Sequence, residues 1–265
     1  MIIDFDYSLD SKPRYGHGAP AHSVLASIIE RNRAAYRSRL QSFLRYQEDF
    51  VSIPQRPTNS FLPHWHNGFF PGLDAVALYC FMADFRPKRY VEIGSGNSTK
   101  FCRYAKTRRQ LDTEIISVDP EPRADVDALC DRVVRKRVED LDVSLFDQLQ
   151  PGDTLFIDSS HRVLMNSDVT ALFLDILPKL RSGVLVQIHD ILLPFDYPLE
   201  WAPRFYSEQY LLAAYLLGGE KFEILLPNTF ITYDAELNTI LSPLWSDPRI
   251  QCKEPYGASF WMRVR

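Results

Sequence analysis

The sequence predicts an α/β fold with a largely parallel sheet covered by helices on both faces, and three observations predict it. From Leu73 onward, short apolar runs alternate with longer segments of helical periodicity. The first run, "RYVEI", opens directly into "GSGNS", a pair of glycines among small polar residues, which lets a chain turn tightly from a strand into a helix. A second run, "EIISV", is followed directly by an acid, Asp119.

The elements follow in order. Between Ser23 and Asp49, Leu25, Ile28, Ile29, Tyr36, Leu40, Phe43 and Leu44 recur at helical spacing, so this stretch reads as one long amphipathic helix or two. The proline- and aromatic-rich "SIPQRPTNSFLPHWHNGFFPG" reads as an irregular loop, placing a boundary near Pro71. Residues 1–70 are then an N-terminal helical and loop extension that covers the substrate, and 71–265 the main domain. Within the latter, Leu73–Phe85 is a buried helix, Tyr90–Ile93 the first strand, Ser98–Thr107 a helix and Glu114–Val118 the second strand. "VDALC" continues a helix, "RVVRKRV" is the third strand, "DTLFID" the fourth and "SDVTALFLDILPKL" a helix. "GVLVQIHDI" is the fifth strand, "SEQYLLAAYLLGG" a helix, and "FEILL" and "SFWMRV" the last two strands. The connection from Pro227 to Gly257 is long enough to be an insertion or a cover over the site.

Composition narrows the function classes. With 46% hydrophobic and 24% charged residues the chain is an ordinary globular one, and 265 residues suit one large domain with an added segment. A net charge of -4 gives no electrostatic reason to expect nucleic acid. The four cysteines lack C-x-x-C spacing, no leader pattern opens the chain and no apolar run approaches a membrane span, so the expectation is a soluble, cytoplasmic protein without a membrane partner.

Two constellations carry chemistry. Glycines after a strand let a ligand approach the backbone, and the following helix aims free N–H groups at it. Glu92 precedes the turn, Gly94, Ser95, Gly96, Asn97 and Ser98 form it, and Asp119 is placed to receive ribose hydroxyls, so the set points to a nucleoside-bearing cofactor. A dinucleotide cradle of the form G-x-G-x-x-G is incomplete, because Thr99 stands at the third glycine position. An acid before the glycines suits a cationic ligand better than a pyrophosphate.

The second constellation ends the fourth and fifth strands: Asp158 with His161 three residues on, and the adjacent pair His189 and Asp190. Were these two strands neighbours, carboxylates converging at their ends would repel unless a cation or a proton intervened, and a divalent metal would be the simplest solution. "FLPHWHNGFF" and "LLPFDYPLEWAPRFYSEQY" supply aromatic walls to either side, while Arg204 and Glu208 stand as substrate contacts or as a helix-surface pair.

Taken in order, "VEIGSGNSTKF", "ISVDPEP", "DTLFIDSSH" and "GVLVQIHDI" resemble the motifs of class I S-adenosylmethionine-dependent methyltransferases over about residues 73–265. The resemblance implies a Rossmann-like seven-stranded sheet of order 3-2-1-4-5-7-6 with its last strand antiparallel. It further implies S-adenosylmethionine as cofactor, Gly94 and Gly96 against its amino-acid end, Asp119 on its ribose, and Glu139 or Asp140 near its adenine. The D-x-x-H and H-D pairs are similar to those of metal-dependent O-methyltransferases acting on sugar hydroxyls of natural products. Carried over, Asp158 and Asp190 are ligands of a divalent ion, magnesium or manganese or similar, and His161 is the base. His189 stands where such relatives carry a glutamate; it is a ligand for a softer ion, a second base, or a hydrogen-bond partner. The implied partner is a hydroxylated small molecule, sugar or phenolic, with self-association left open. The rival readings are a nicotinamide-dependent oxidoreductase on a similar sheet and a non-catalytic module that keeps the cofactor pocket.

Overall fold

The computed structural model describes residue 7 and residues 10–122 and 124–265; the other residues of the predicted N-terminal extension, 1–6, 8 and 9, and position 123 lie outside the described residues. Seven strands form its centre: β1 (Arg89–Ile93), β2 (Glu114–Val118), β3 (Arg132–Val134), β4 (Thr154–Ile157), β5 (Leu185–Ile188), β6 (Phe222–Pro227) and β7 (Phe260–Val264). They join in one sheet of order β3-β2-β1-β4-β5-β7-β6. Neighbours from β3 to β5 pair in parallel, and β7 runs antiparallel to both β5 and β6, which is the topology the motifs imply. Every residue of β4 and β5 is buried, as expected of strands covered on both faces.

Helices α1 (Ser23–Glu30), α2 (Arg33–Phe43) and α3 (Gln47–Phe50) precede the sheet, and α4 (Gly72–Phe85) leads into it. The sequence allowed one helix or two over residues 23–49; the chain breaks at Asn32, whose side-chain amide donates to the Ile224 carbonyl of β6 at 3.0 Å. That bond ties the extension to the sheet edge. Arg33 adds a two-pronged pair with Asp234 at 2.6 and 2.7 Å. Helix α4 is buried from Gly72 through Met82, which explains why its apolar residues show no single stripe. One hydrophobic cluster includes Tyr36, Leu40 and Phe43 of α2 together with the strands, so the extension shares the core of the main domain.

Helix α5 (Asn97–Arg108) follows β1, α6 (Ser144–Asp147) precedes β4, α7 (Asp168–Ala171) follows it, and α8 (Glu208–Gly218) precedes β6. The long connection holds α9 (Asn228–Tyr233) and α10 (Ser242–Trp245). Three expectations are corrected here. "VDALC" forms a single 3-10 turn over Asp127–Leu129. Strand β3 stops at Val134 because β2 offers partners only from Ile116 to Val118. The helix expected over 167–180 is α7 continued by a π-turn over Leu172–Ile176 and a 3-10 turn containing Pro178, whose ring cannot continue an α-helix.

Candidate active site

The carboxyl ends of β1, β2, β4 and β5 open onto one cavity of ≈ 1380 Å³. This exceeds the roughly 300–1,000 Å³ of a single-ligand cleft and leaves room for a cofactor beside a second small molecule. The glycine turn forms one wall. Gly94 has φ +80°, donates its N–H to the Val118 carbonyl at 3.0 Å, and lies so close to β4 that an added Cβ would fall 1.9 Å from the Asp158 carbonyl oxygen. Gly96 is different: its backbone is extended, and an added Cβ would meet nothing within 4 Å. The first glycine lets two strand ends meet, whereas the second keeps a stretch of cavity wall open. Ser95, Asn97 and Ser98 also line the cavity.

Glu92 does not, contrary to its assignment from sequence. It is fully buried beneath the turn, accepting from Thr99 Oγ1 at 2.5 Å and Tyr90 OH at 3.3 Å, while Thr99 Oγ1 accepts the Gly96 N–H at 3.0 Å. Its carboxylate braces the turn from below. Burial pushes it up to about 8, against the opposing hydrogen bonds from Ser98 and Thr99. The folded state thus holds a proton that the unfolded chain has released between pH 4.5 and about 8. The stabilisation from this protonated acid is full below that window and is lost across it as pH rises, by about 1.4 kcal/mol per unit. Urea unfolding at pH 5 and pH 8 is expected to show this fall in the parent protein and a flatter profile for Glu92→Gln; equal slopes in both would contradict it.

Asp119 lines the cavity beside the turn. Its Oδ2 accepts the Ser95 N–H and its Oδ1 the Glu121 N–H, both at 2.8 Å, which fixes the carboxylate while leaving each oxygen a lone pair for a hydroxyl. Of the two acids considered for the adenine side, Glu139 lines the cavity and Asp140 does not. Asn67 escaped the sequence reading. It accepts the N–H groups of Phe69 and Phe70 and the Asn97 side-chain amide, at 2.7–3.4 Å, holding the Phe69–Phe70 wall against the start of α5.

Beyond this half lies the second constellation. Ile157 and Ile188 are partners in the β4–β5 register, so Asp158 and His189 leave the sheet side by side. His161 Nε2 stands 3.2 Å from Asp158 Oδ1 and 3.7 Å from Asp190 Oδ2, and its Nδ1 is bonded to Glu208 Oε2 at 2.9 Å. His189 Nδ1 faces Asp190 at 3.4 Å and Asp158 at 3.6 Å, and its Nε2 is bonded to Asp74 Oδ2 at 3.1 Å. Glu208 and Asp74 are fully buried; Asp74 was not singled out from sequence, and Glu208 stood there as a substrate contact or a helix-surface partner of Arg204, not as a partner of His161. Each sits in a helix far along the chain, and only the packing of α8 and α4 brings it to its histidine. Glu208 pairs with His161 and not with Arg204.

Two residues here adopt left-handed backbone, His161 at φ +60° and Asp190 at φ +53°. At His161 the surroundings enforce it: its carbonyl accepts the N–H groups of Ser207 and Glu208 at 2.8 and 3.1 Å, seating the residue on the start of α8. Burial disfavours charged imidazoles, but the surrounding carboxylates overrule it and raise both histidines well above their ordinary range. Asp158 responds inversely: burial would raise it, and the imidazoles hold it well below the usual carboxylate range. Asp190 and Glu208 are raised by burial.

The metal set drawn from sequence, Asp158, His189 and Asp190, converges but does not fit an ion. His189 fills the space between the acids, with both ring nitrogens directed at carboxylates. Among the described residues, no group of three or more His, Cys, Asp or Glu is placed to hold a metal.

The remaining wall comes from the 192–206 segment, both ends of the 227–257 connection, and His17 of the N-terminal segment. His17 is held there because the Asp196 carboxylate accepts the Arg14 and Tyr15 N–H groups, at 2.5 and 3.1 Å. Helices α1 and α2 do not reach the cavity. Among the described residues no helix is long and apolar enough to cross a membrane.

Residues 91–191 match the family model of a methyltransferase domain. An uncharacterised protein of Archaeoglobus fulgidus is 30% identical over 110 residues, covering 38% of this chain, and the match spans half of that protein's length. Among solved structures, the O-methyltransferase TomG of Streptomyces achromogenes, in complex with S-adenosylmethionine, is 17% identical over 71% of this chain and 78% of its own, with a TM-score of 0.43. The methyltransferase PaMTH1 of Podospora anserina is 14% identical over 95% of this chain and 100% of its own, at 0.44. An O-methyltransferase of Bacillus cereus is 14% identical over 94% of each chain, at 0.43. The family match spans β1 to β5, the glycine turn and the acids and histidines at the strand ends, so this segment is similar to a methyltransferase domain, in line with the S-adenosylmethionine-dependent family that its motifs resemble.

Proposed function

We propose that the protein methylates a hydroxyl oxygen of a small molecule, with His161 as general base and Glu208 as the group that positions it. S-adenosylmethionine would supply a methyl group on a sulfonium sulfur, and the residues present fit it: an open wall at Gly96, a carboxylate at Asp119 with lone pairs to spare, and Glu139 farther along. The carrying observation is that His161, bonded to the buried Glu208 at 2.9 Å, lines the same cavity as that turn.

The chemistry follows from alignment and proton transfer. An alcohol at neutral pH is a poor nucleophile and must lose its proton as its oxygen bonds to the methyl carbon and the carbon–sulfur bond breaks. Glu208 accepts from Nδ1, so the opposite nitrogen, Nε2, is the one directed at the cavity and at the acceptor's proton. Asp158 and Asp190 flank that nitrogen and stabilise the imidazolium that forms.

The test is transfer of label from methyl-labelled S-adenosylmethionine to a panel of hydroxylated sugars and phenols, with and without chelator. O-linked label that survives chelation is the expected result. Tight cofactor binding by calorimetry with no transfer to any acceptor would instead favour a binding module, and transfer lost on chelation would return the metal to the site.

A further inference from the structure

We propose that the acceptor carries an anionic oxyacid group, a carboxylate or a phosphate, beside the hydroxyl to be methylated, and that Arg162 and Arg204 recognise it; this rests on the methyl-transfer reading of the same cavity. Both arginines line the cavity on the side of the base. Arg162 follows His161 directly in the chain, and its Nε donates to the Arg204 carbonyl at 2.8 Å, which couples the two segments. The Arg204 guanidinium lies over Trp201, 4.3 Å from the ring centroid. Tyr206 is the shared neighbour: its ring is 5.6 Å from the Arg204 guanidinium, 5.9 Å from that of Arg162, and 4.6 Å from the His161 ring.

These two arginines combine a place in the cavity wall beside the base with the lack of a counter-charge; Arg137, also unpaired among the described residues and lining the cavity, sits near Glu139 and away from His161 in the chain. Arg33 pairs with Asp234 and Glu236, and Arg249 with Asp247 and Glu48. Neither Arg162 nor Arg204 has a carboxylate within ion-pair distance among the described residues. Of the acids at the site, Asp158, Asp190 and Glu208 are engaged by the two histidines, and Asp168 accepts from the Ser160 N–H and hydroxyl. Planar guanidinium groups held by stacking are pre-organised for two-pronged binding of an oxyanion. Tyr206 neighbours the base and both guanidinium groups, so an anion at this pair would lie on the base's side of the cavity.

The experiment titrates protein saturated with S-adenosylhomocysteine with three probes: catechol, its carboxylate protocatechuate, and a catechol bearing a phosphonomethyl group. An anionic probe is expected to bind at least ten-fold tighter than catechol, a difference of about 1.4 kcal/mol. Which anion binds tighter separates a carboxylate acceptor from a phosphorylated one. The double variant Arg162→Gln/Arg204→Gln is expected to bind all three probes alike while retaining S-adenosylhomocysteine, which also shows that it is folded. Equal binding of the charged and neutral probes by the parent protein, no binding of any of them, or a preference that survives in the double variant would overturn the proposal. Failure of S-adenosylhomocysteine itself to bind would remove the methyl-transfer reading instead.

Discussion

Replacing His161 with alanine is expected to lower methyl transfer by about 10²- to 10⁴-fold, the usual worth of a positioned general base, while cofactor affinity changes little. The separation follows from geometry. On the proposed reading the glycine turn and Asp119 hold the cofactor, and His161, beyond the end of β4, meets the acceptor. Alanine would leave the fully buried Glu208 without its partner, so His161→Gln is the companion variant, keeping a side-chain donor and losing the base. The rate of S-adenosylhomocysteine formation and the calorimetric affinity for the cofactor read the two effects apart. An affinity loss as large as the rate loss would refute the base role.

The same contacts set a pH signature. Because Asp158 and Glu208 hold His161 protonated, the neutral base is the minor form at neutral pH, and turnover is expected to rise with pH along a limb above the ordinary histidine range. Glu208→Gln removes one of the two carboxylates and should move that limb to lower pH. A purely structural role for Glu208 would lower the melting temperature and leave the limb in place.

Gly94→Ala is expected to destabilise the fold severely, on the order of 4 kcal/mol or more, through strain at a left-handed residue and a backbone collision. A Cβ would lie 1.9 Å from the Asp158 carbonyl oxygen and 2.8 Å from its carbon. Backbone atoms at the end of β4 cannot rotate away as a side chain would, so the strand ends must part, carrying Asp158 off its histidines. Gly96→Ala is the contrast. Its extended backbone accepts any residue and its Cβ would meet no protein atom within 4 Å, so stability should stay near the parent value while cofactor affinity falls. Urea unfolding without ligand, paired with calorimetry, distinguishes the two; a stable Gly94→Ala protein would mean that the turn is not locked against β4.

Strand positions and the acids and histidines at the strand ends were legible because each rests on local pattern, apolar runs bounded by turns, a glycine pair, and an acid closing a strand, whereas the sheet order came from the resemblance of the motifs to a known family. Glu92 shows where the pattern misleads. An acid next to a glycine turn looks the same in sequence whether its side chain faces the ligand or the core, since successive strand residues point to opposite faces and only packing says which face is which. The limits of β3 and the π-turn after α7 were hidden for the same reason, being set by pairing partners and neighbours rather than by composition.

By itself, then, the sequence determined that this chain winds an α/β sheet and gathers Gly94, Gly96, Asp119, Asp158, His161, His189 and Asp190 at its carboxyl edge. Tertiary structure alone decided the chemistry of that edge. Asp74 from α4 and Glu208 from α8 arrive at the two histidines from 115 and 47 residues away, and each packs a buried carboxylate against an imidazole nitrogen. The physical reason is range: strand and turn signals act over a few residues, whereas the charge state of a buried histidine depends on every carboxylate that packing brings within a few ångströms, however distant in sequence.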